Sequence, residues 1–176
     1  MSSSRRLGVL ALIVGALTQT ASARERADST LTPPAGTQEV TVVAVVLDER
    51  SQSPTVLLEG KRDKRQLAMA IGPAEAISIV VPLRGATLPR PLTHDLFLTL
   101  FGQLNVAITR VVINDVRDGI YYATVHLSRD GTALSLDARP SDAIALAIRS
   151  KVPVLVEDRV FDKGETVPLA PARPRI

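Results

Sequence analysis

Residues 107–137 read AITRVVINDVRDGIYYATVHLSRDGTALSLD, and this stretch decides the fold class. Two runs rich in β-branched and aromatic residues, Ala107 to Val116 and Ile120 to Leu127, are joined through Arg117-Asp118-Gly119. Asp-Gly readily supplies the consecutive positive-φ positions of a tight turn between right-twisting strands, so the pair predicts a β-hairpin. Asp130-Gly131 repeats the signal and leads into a third strand, Ala133 to Asp137. Strands joined by turns this short pair antiparallel, because a parallel connection needs a crossover of about a dozen residues or more.

Outward from this core, Arg139-Pro140-Ser141-Asp142 opens a helix through Ile144, Ala147 and Ile148 to about Lys151, and Val152 to Val156 reads as a short edge strand. Upstream, Thr93 is expected to cap a helix carrying Leu96, Phe97, Leu100, Phe101 and Leu104 on one side. Pro73 to Leu83 reads as another helix, with proline at its first position and Glu75 in the positively polarised first turn. Val40 to Leu47 is a nearly unbroken β-branched run, and Thr55 to Leu58 and Gln66 to Ile71 continue the strand character. Strands in blocks, helices in blocks and hairpin turns predict one α+β domain over 39–167, a largely antiparallel sheet with about three helices. The Pro/Ala/Arg-rich segment 168–176 has no reason to be ordered.

The N-terminus reads as an address. Arg5 and Arg6, an apolar run from Leu7 to Leu17 and Ala21-Ser22-Ala23 form the three parts of a cleavable secretory signal over 1–23. The apolar run is well short of the ~20 residues that cross a bilayer. Residues 24–38, polar with Pro33-Pro34, then form a flexible leader. The expected location is periplasmic or secreted, with the paired arginines leaving the Sec and twin-arginine routes both open.

The composition narrows the chemistry. Of 176 residues only 3% are aromatic and none is Trp, too few to stack successive bases along a groove. The formal charge is +3, but six of the 21 basic residues (Arg5, Arg6, Arg24, Arg26, Arg173, Arg175) and three of the 18 acids (Glu25, Asp28, Glu39) lie outside 40–165, which leaves 15 of each inside. Bulk charge therefore gives no support for nucleic-acid binding, and any phosphate affinity must be local. The basic cluster Lys61-Arg62-Asp63-Lys64-Arg65 is most simply a solvated hairpin loop. The absence of Cys excludes thiol catalysis and cysteine-ligated metal. No phosphate-binding glycine loop, His-Glu-x-x-His or Gly-x-Ser-x-Gly is present.

Two segments share a grammar: Arg90-Pro91-Leu92-Thr93-His94-Asp95 and Arg139-Pro140-Ser141-Asp142 each place an arginine, a proline, a hydroxyl N-cap and a first-turn aspartate before a helix. Capping accounts for all but the arginines. A guanidinium beside free helix N–H groups suits phosphate, so Arg90 and Arg139, with Thr93 and Ser141, are candidate phosphate contacts. Glu75, Asp95, Asp137 and Asp142 are the surrounding acids. Glu75, Asp137 and Asp142 are the candidate ligands for Mg²⁺ or Mn²⁺, which would activate water and stabilise charge in phosphodiester cleavage. His94 is a candidate base, acid or ligand, whereas His126 reads as an ordinary strand residue. Each of these acids also has an ordinary reading as a helix-dipole partner or, for Asp137, a partner of Arg139.

Three blocks, Ile71-Gly72-Pro73-Ala74-Glu75-Ala76, Arg90 to Leu96, and Asp137-Ala138-Arg139-Pro140-Ser141-Asp142-Ala143-Ile144-Ala145-Leu146-Ala147, resemble in order and spacing the defining motifs of the bifunctional nuclease domain, over about residues 40 to 165. The resemblance implies a compact α+β domain with the motifs gathered at one place, and an activity described for plant members as cleavage of both DNA and RNA. By motif position it assigns candidate catalytic roles to Glu75, His94, Asp95, Asp137 and Asp142. The expectation is an exported, metal-assisted nuclease acting on DNA or RNA without sequence specificity. The alternatives are a non-catalytic anion- or ligand-binding module and a structural, homo-oligomeric envelope protein.

Overall fold

A computed structural model describes residues 33–48 and 52–165. The signal over 1–23, most of the leader and the tail 168–176 lie outside these residues. Seven strands, β1 (Thr37–Leu47), β2 (Pro54–Gly60), β3 (Gln66–Ala70), β4 (Val106–Arg117), β5 (Ile120–Arg129), β6 (Thr132–Ala138) and β7 (Val154–Glu157), form one sheet in the order β3-β2-β1-β7-β4-β5-β6. Every neighbouring pair is antiparallel except β4 with β7. Among the described residues four helices accompany it: α1 (Pro73–Leu83), α2 (Thr93–Gln103), α3 (Pro140–Ser150) and the short α4 (Asp158–Lys163).

Both Asp-Gly turns form as expected, with positive φ at Asp118 (51°) and Gly119 (77°), and at Asp130 (50°) and Gly131 (80°). The meander β4-β5-β6 follows directly, with Val125 opposite Val111 on one side and Leu136 on the other. Two boundaries differ from the sequence reading. β1 starts at Thr37, so Gln38, only 1% exposed, belongs to the domain rather than to the leader. β7 is not an edge strand: it sits between β1 and β4 with Val154, Leu155 and Val156 all buried. Three consecutive apolar residues bury both faces of a strand, and only an interior position of the sheet provides two covered faces.

The core is built on α3, whose residues Pro140, Ser141 and Ala143 to Ala147 are buried. Ala143, Ala145 and Ala147 are fully buried, and their small side chains let α1, α2, β4 and β5 approach the same helix. Lys151, in the left-handed conformation (φ 55°, ψ 40°), ends it. α2 departs from the simple amphipathic expectation. His94 is its one buried residue, and Leu96, Phe97, Leu100 and the following Leu104 are each 47–63% exposed. Its packing against the core runs through Leu98 and Phe101 instead.

Candidate active site

The three helices that follow the sequence blocks start close together. α1 has Gly72 as N-cap and Pro73 at its first position. The Glu75 carboxylate folds back over Gly72 so closely that a Cβ there would collide with Oε2. α3 has Arg139 as N-cap, and α2 has Leu92. Thr93 and Ser141 are thus not the caps: they sit one and two residues into their helices. Pro140 explains the shift in α3, since its fixed φ suits the first helical position and moves the cap back to Arg139. In α2 the Asp95 carboxylate accepts the Leu92 N–H at 2.8 Å, which needs no hydroxyl.

A continuous chain of hydrogen bonds links the three starts. Arg139 donates from Nη2 to Glu75 Oε1 at 2.6 Å and from Nε to Asp142 Oδ2 at 2.7 Å. Asp142 Oδ1 lies 3.1 Å from His94 Nε2. The hydrogen bonds that Arg139 donates to Asp142 and then to Glu75 hold its guanidinium above its ordinary pKa. Assigning the shared proton to His94 Nε2 leaves Nδ1 as an acceptor, and Nδ1 is buried with no partner among the described residues. Arg139 is 66% exposed at its side chain, whereas those of Glu75 and His94 are 16% and 10% exposed. The chain therefore presents a solvent-facing guanidinium fixed from behind.

Glu75, Thr93, His94, Asp137, Arg139 and Asp142 line one cavity of about 630 Å³. Phe97 and Phe101, edge to face with centroids 6.0 Å apart, form an apolar wall with Val125, Leu136 and Leu146. With three acids and one arginine, the lining is net negative.

Other expected residues stand apart. Asp95 accepts from Arg149 Nε at 2.7 Å, and Arg149 also donates from Nη1 to the carbonyls of Ser78 (2.5 Å) and Ala145 (3.0 Å), so this pair ties α1, α2 and α3 together outside the cavity lining. Burial works to raise the Asp95 pKa, but the hydrogen bonds from Arg149 and the Leu92 amide outweigh it and hold the carboxyl below its usual range. Arg90 is exposed and does not line the cavity, so the two-pronged arginine cradle is reduced to Arg139 alone. Ser141 is buried and lines a separate cavity of about 350 Å³.

Asp137 pairs with Thr124 across β5–β6, on the sheet face opposite to that of Leu136 and Ala138. It nevertheless lines the cavity together with Leu136 and Ala138. Among the described residues no three His, Asp or Glu side chains are grouped as a metal shell, so Glu75, Asp137 and Asp142 do not converge on one point.

Sequence reasoning missed Arg149 and the aromatic wall. The available signals were the seven-residue spacing from Asp142, which puts Arg149 on the same face of α3, and the four-residue spacing of Phe97 and Phe101. The basic cluster is matched by acids: Lys61 pairs with Glu39, Lys64 with Glu59, Arg62 with Asp158, and Arg65 with Asp63, Asp158 and Asp162.

Fold and site together define an α+β domain in which three helix starts share an acid-rich, half-apolar cleft with one clamped arginine. The chain belongs to the bifunctional nuclease domain family, whose pattern its residues 56–168 match. It is 37% identical over 123 residues to an uncharacterized protein of Mycobacterium tuberculosis, covering 70% of this chain and 73% of that protein. To bifunctional nuclease 1 of Oryza sativa subsp. indica it is 32% identical over 88 residues, 48% of this chain and 27% of the rice protein. To bifunctional nuclease 1 of Arabidopsis thaliana it is 26% identical over 108 residues, 55% of this chain and 33% of that protein.

Proposed function

We propose that this protein is a nuclease that hydrolyses phosphodiester bonds of DNA or RNA at the Arg139 cleft, without base specificity. One observation carries the reading: the Glu75–Arg139–Asp142–His94 chain holds a guanidinium and an imidazole at one solvent-open cavity. Arg139 uses Nε and Nη2 internally and keeps Nη1 for a phosphate oxygen, where a rigid, always-charged fork binds most strongly. His94, oriented by Asp142, has the chemistry of a general base or acid. The rice and Arabidopsis relatives carry the name bifunctional nuclease, which supports the same activity here.

Dependence on Mg²⁺ or Mn²⁺ is part of the proposal. Glu75 and Asp142 are oxygen donors of the right kind for a hard cation, although both are held by Arg139 and lack a third carboxylate beside them. Such an ion would supply charge neutralisation in a cleft whose own lining repels a phosphodiester. The preferred substrates are single-stranded or small, since the ion-paired surface offers no long basic track.

The test is a gel assay of the full chain on single- and double-stranded DNA and RNA with Mg²⁺, Mn²⁺ or chelator. Cleavage that drops at least about tenfold in Arg139→Ala, Asp142→Asn and His94→Ala supports the assignment. No cleavage under any condition, or cleavage indifferent to all three changes, overturns it; activity unaffected by chelator removes the metal alone. Export is proposed from the tripartite pattern of residues 1–23 and is tested by cell fractionation with N-terminal sequencing of the product; protein retained in the cytoplasm with Met1 intact rejects it.

A further inference from the structure

The sheet carries a second cavity, of about 530 Å³, on its other face. Val125 and His126 are consecutive on β5, so their side chains leave opposite faces, and Val125 lines the cleft while His126 lines this cavity. Arg110 is the direct partner of His126 across the β4–β5 ladder. Directly paired residues share a face, which sets guanidinium and imidazole side by side. Arg159, Glu157 and Asp158 are the other charged groups of the lining.

The two arginines and two acids of the lining balance in number but not in pairing. Glu157 accepts from Arg159 Nε at 2.7 Å, and Asp158 accepts from both Arg62 and Arg65 at 2.6 Å. Both acids are thus engaged. Arg110 has no carboxylate partner among the described residues, and its Nε is buried with no acceptor. Arginines 62, 65, 117, 139, 149 and 159, by contrast, are all matched with acids. A buried cationic donor without an acceptor is rare because it loses its hydration with nothing in return, and a bound anion satisfies it. Burial, and then the charge of Arg110, push the pKa of His126 down, and an anion bound beside them would oppose both effects.

We infer that this cavity binds a phosphate dianion, as inorganic phosphate or a phosphomonoester, gripped by Arg110 with His126 as a protonatable second contact. Arg110 plus a protonated His126 match two negative charges, which fits a monoester better than the single charge of a diester or a carboxylate. The inference is independent of the nuclease reading, because it uses none of the cleft residues.

The chain has two histidines, so its imidazole signals in an NMR titration are two, and His126→Asn assigns them. The full chain is titrated with inorganic phosphate, a nucleoside monophosphate, a dinucleoside phosphodiester lacking a terminal phosphate, and chloride at matched ionic strength. Inorganic phosphate and the monophosphate should saturably raise the His126 midpoint by about half a unit or more, the diester less and chloride not at all. Arg110→Gln should weaken phosphate binding at least about tenfold. The inference fails if His126 does not respond, if only His94 does, if chloride matches phosphate, or if the response survives in Arg110→Gln. An equal response to the diester overturns the dianion assignment. Should Arg110→Gln not fold, Arg110→Lys decides: weaker but saturable binding supports the site, and unchanged affinity rejects it.

Discussion

Arg139 Nη2 donates to Glu75 Oε1 at 2.6 Å, across 64 residues of sequence, and by doing so makes the start of α1 and the start of α3 one electrostatic unit. The same guanidinium reaches Asp142 through Nε, so one side chain sets the positions of two carboxylates and, through Asp142, of His94.

Replacing Arg139 should separate stability from function. The side chain is largely exposed, and exposed ion pairs contribute about 0–1 kcal/mol, so Arg139→Ala is expected to lower the Tm by only a few degrees. Nuclease activity should fall at least about tenfold, and Arg139→Lys should not restore it, because one ammonium lacks the planar fork that serves both carboxylates and a phosphate. Thermal melts and cleavage rates on the same preparations check this; a lysine variant with wild-type activity would refute the clamp.

Gly72→Ala should act at a distance through Glu75. The backbone at Gly72 (φ −74°, ψ 159°) is open to any residue, so the consequence is steric: the new methyl occupies the place of Glu75 Oε2. The carboxylate must swing off Arg139. Gly72→Ala and Glu75→Gln should each reduce activity, and the double variant should be no worse than the more severe single one, because both weaken the same contact with Arg139. Additive losses in a double-mutant cycle would show that Gly72 matters for another reason.

What the sequence made legible, and what it did not, follows from the range of each interaction. The Asp-Gly turns and the helices α1 and α3 are local: their determinants lie within a few residues, and they appear where the pattern puts them. β7 was misplaced at an edge because strand order is a non-local property, although its three buried apolar residues already carried the sign of an interior strand. Glu75, His94, Asp142 and Arg139 are marked by helix-start chemistry and line one cavity. Asp95 and Arg90 carry the same mark and yet fall outside the cleft, since capping grammar says which residues stand at a helix start but not which way that start faces. Asp137 lines the cleft too, but from the strand position whose side chain leaves the sheet opposite to Leu136, because a one-residue step in β6 exchanges one face for the other.

Acid should loosen the hairpin between β2 and β3 through Asp63. Burial would raise its pKa, but hydrogen bonds from Gln38 and from the amide and guanidinium of Arg65 prevail and bring it to about 2. A carboxyl depressed in the folded state contributes stability that is full above its unfolded pKa of about 3.9 and is lost as pH falls toward the folded value. Wild type should therefore exceed Asp63→Asn in Tm above about pH 4, with the gap closing between about pH 4 and 2. A gap that stays constant over that range would mean the aspartate acts through its shape and not its charge.

The Asp95–Arg149 pair should matter for folding far more than for chemistry. Arg149 is 7% exposed at its side chain and is held by Asp95 on α2 and by two carbonyls, on α1 and α3. Asp95→Asn keeps the shape but removes the counter-charge of a buried guanidinium. Because Asp95 itself is 41% exposed, water can compensate in part, and the expected destabilisation is about 1–3 kcal/mol rather than the larger cost of breaking a fully buried pair. Cleavage per folded molecule should stay within about threefold of wild type, since a residue outside the cleft alters the reacting groups only through small shifts in position. Urea denaturation gives the first quantity and activity normalised to folded protein the second. A variant of full stability with abolished cleavage would move Asp95 from the scaffold into the active site.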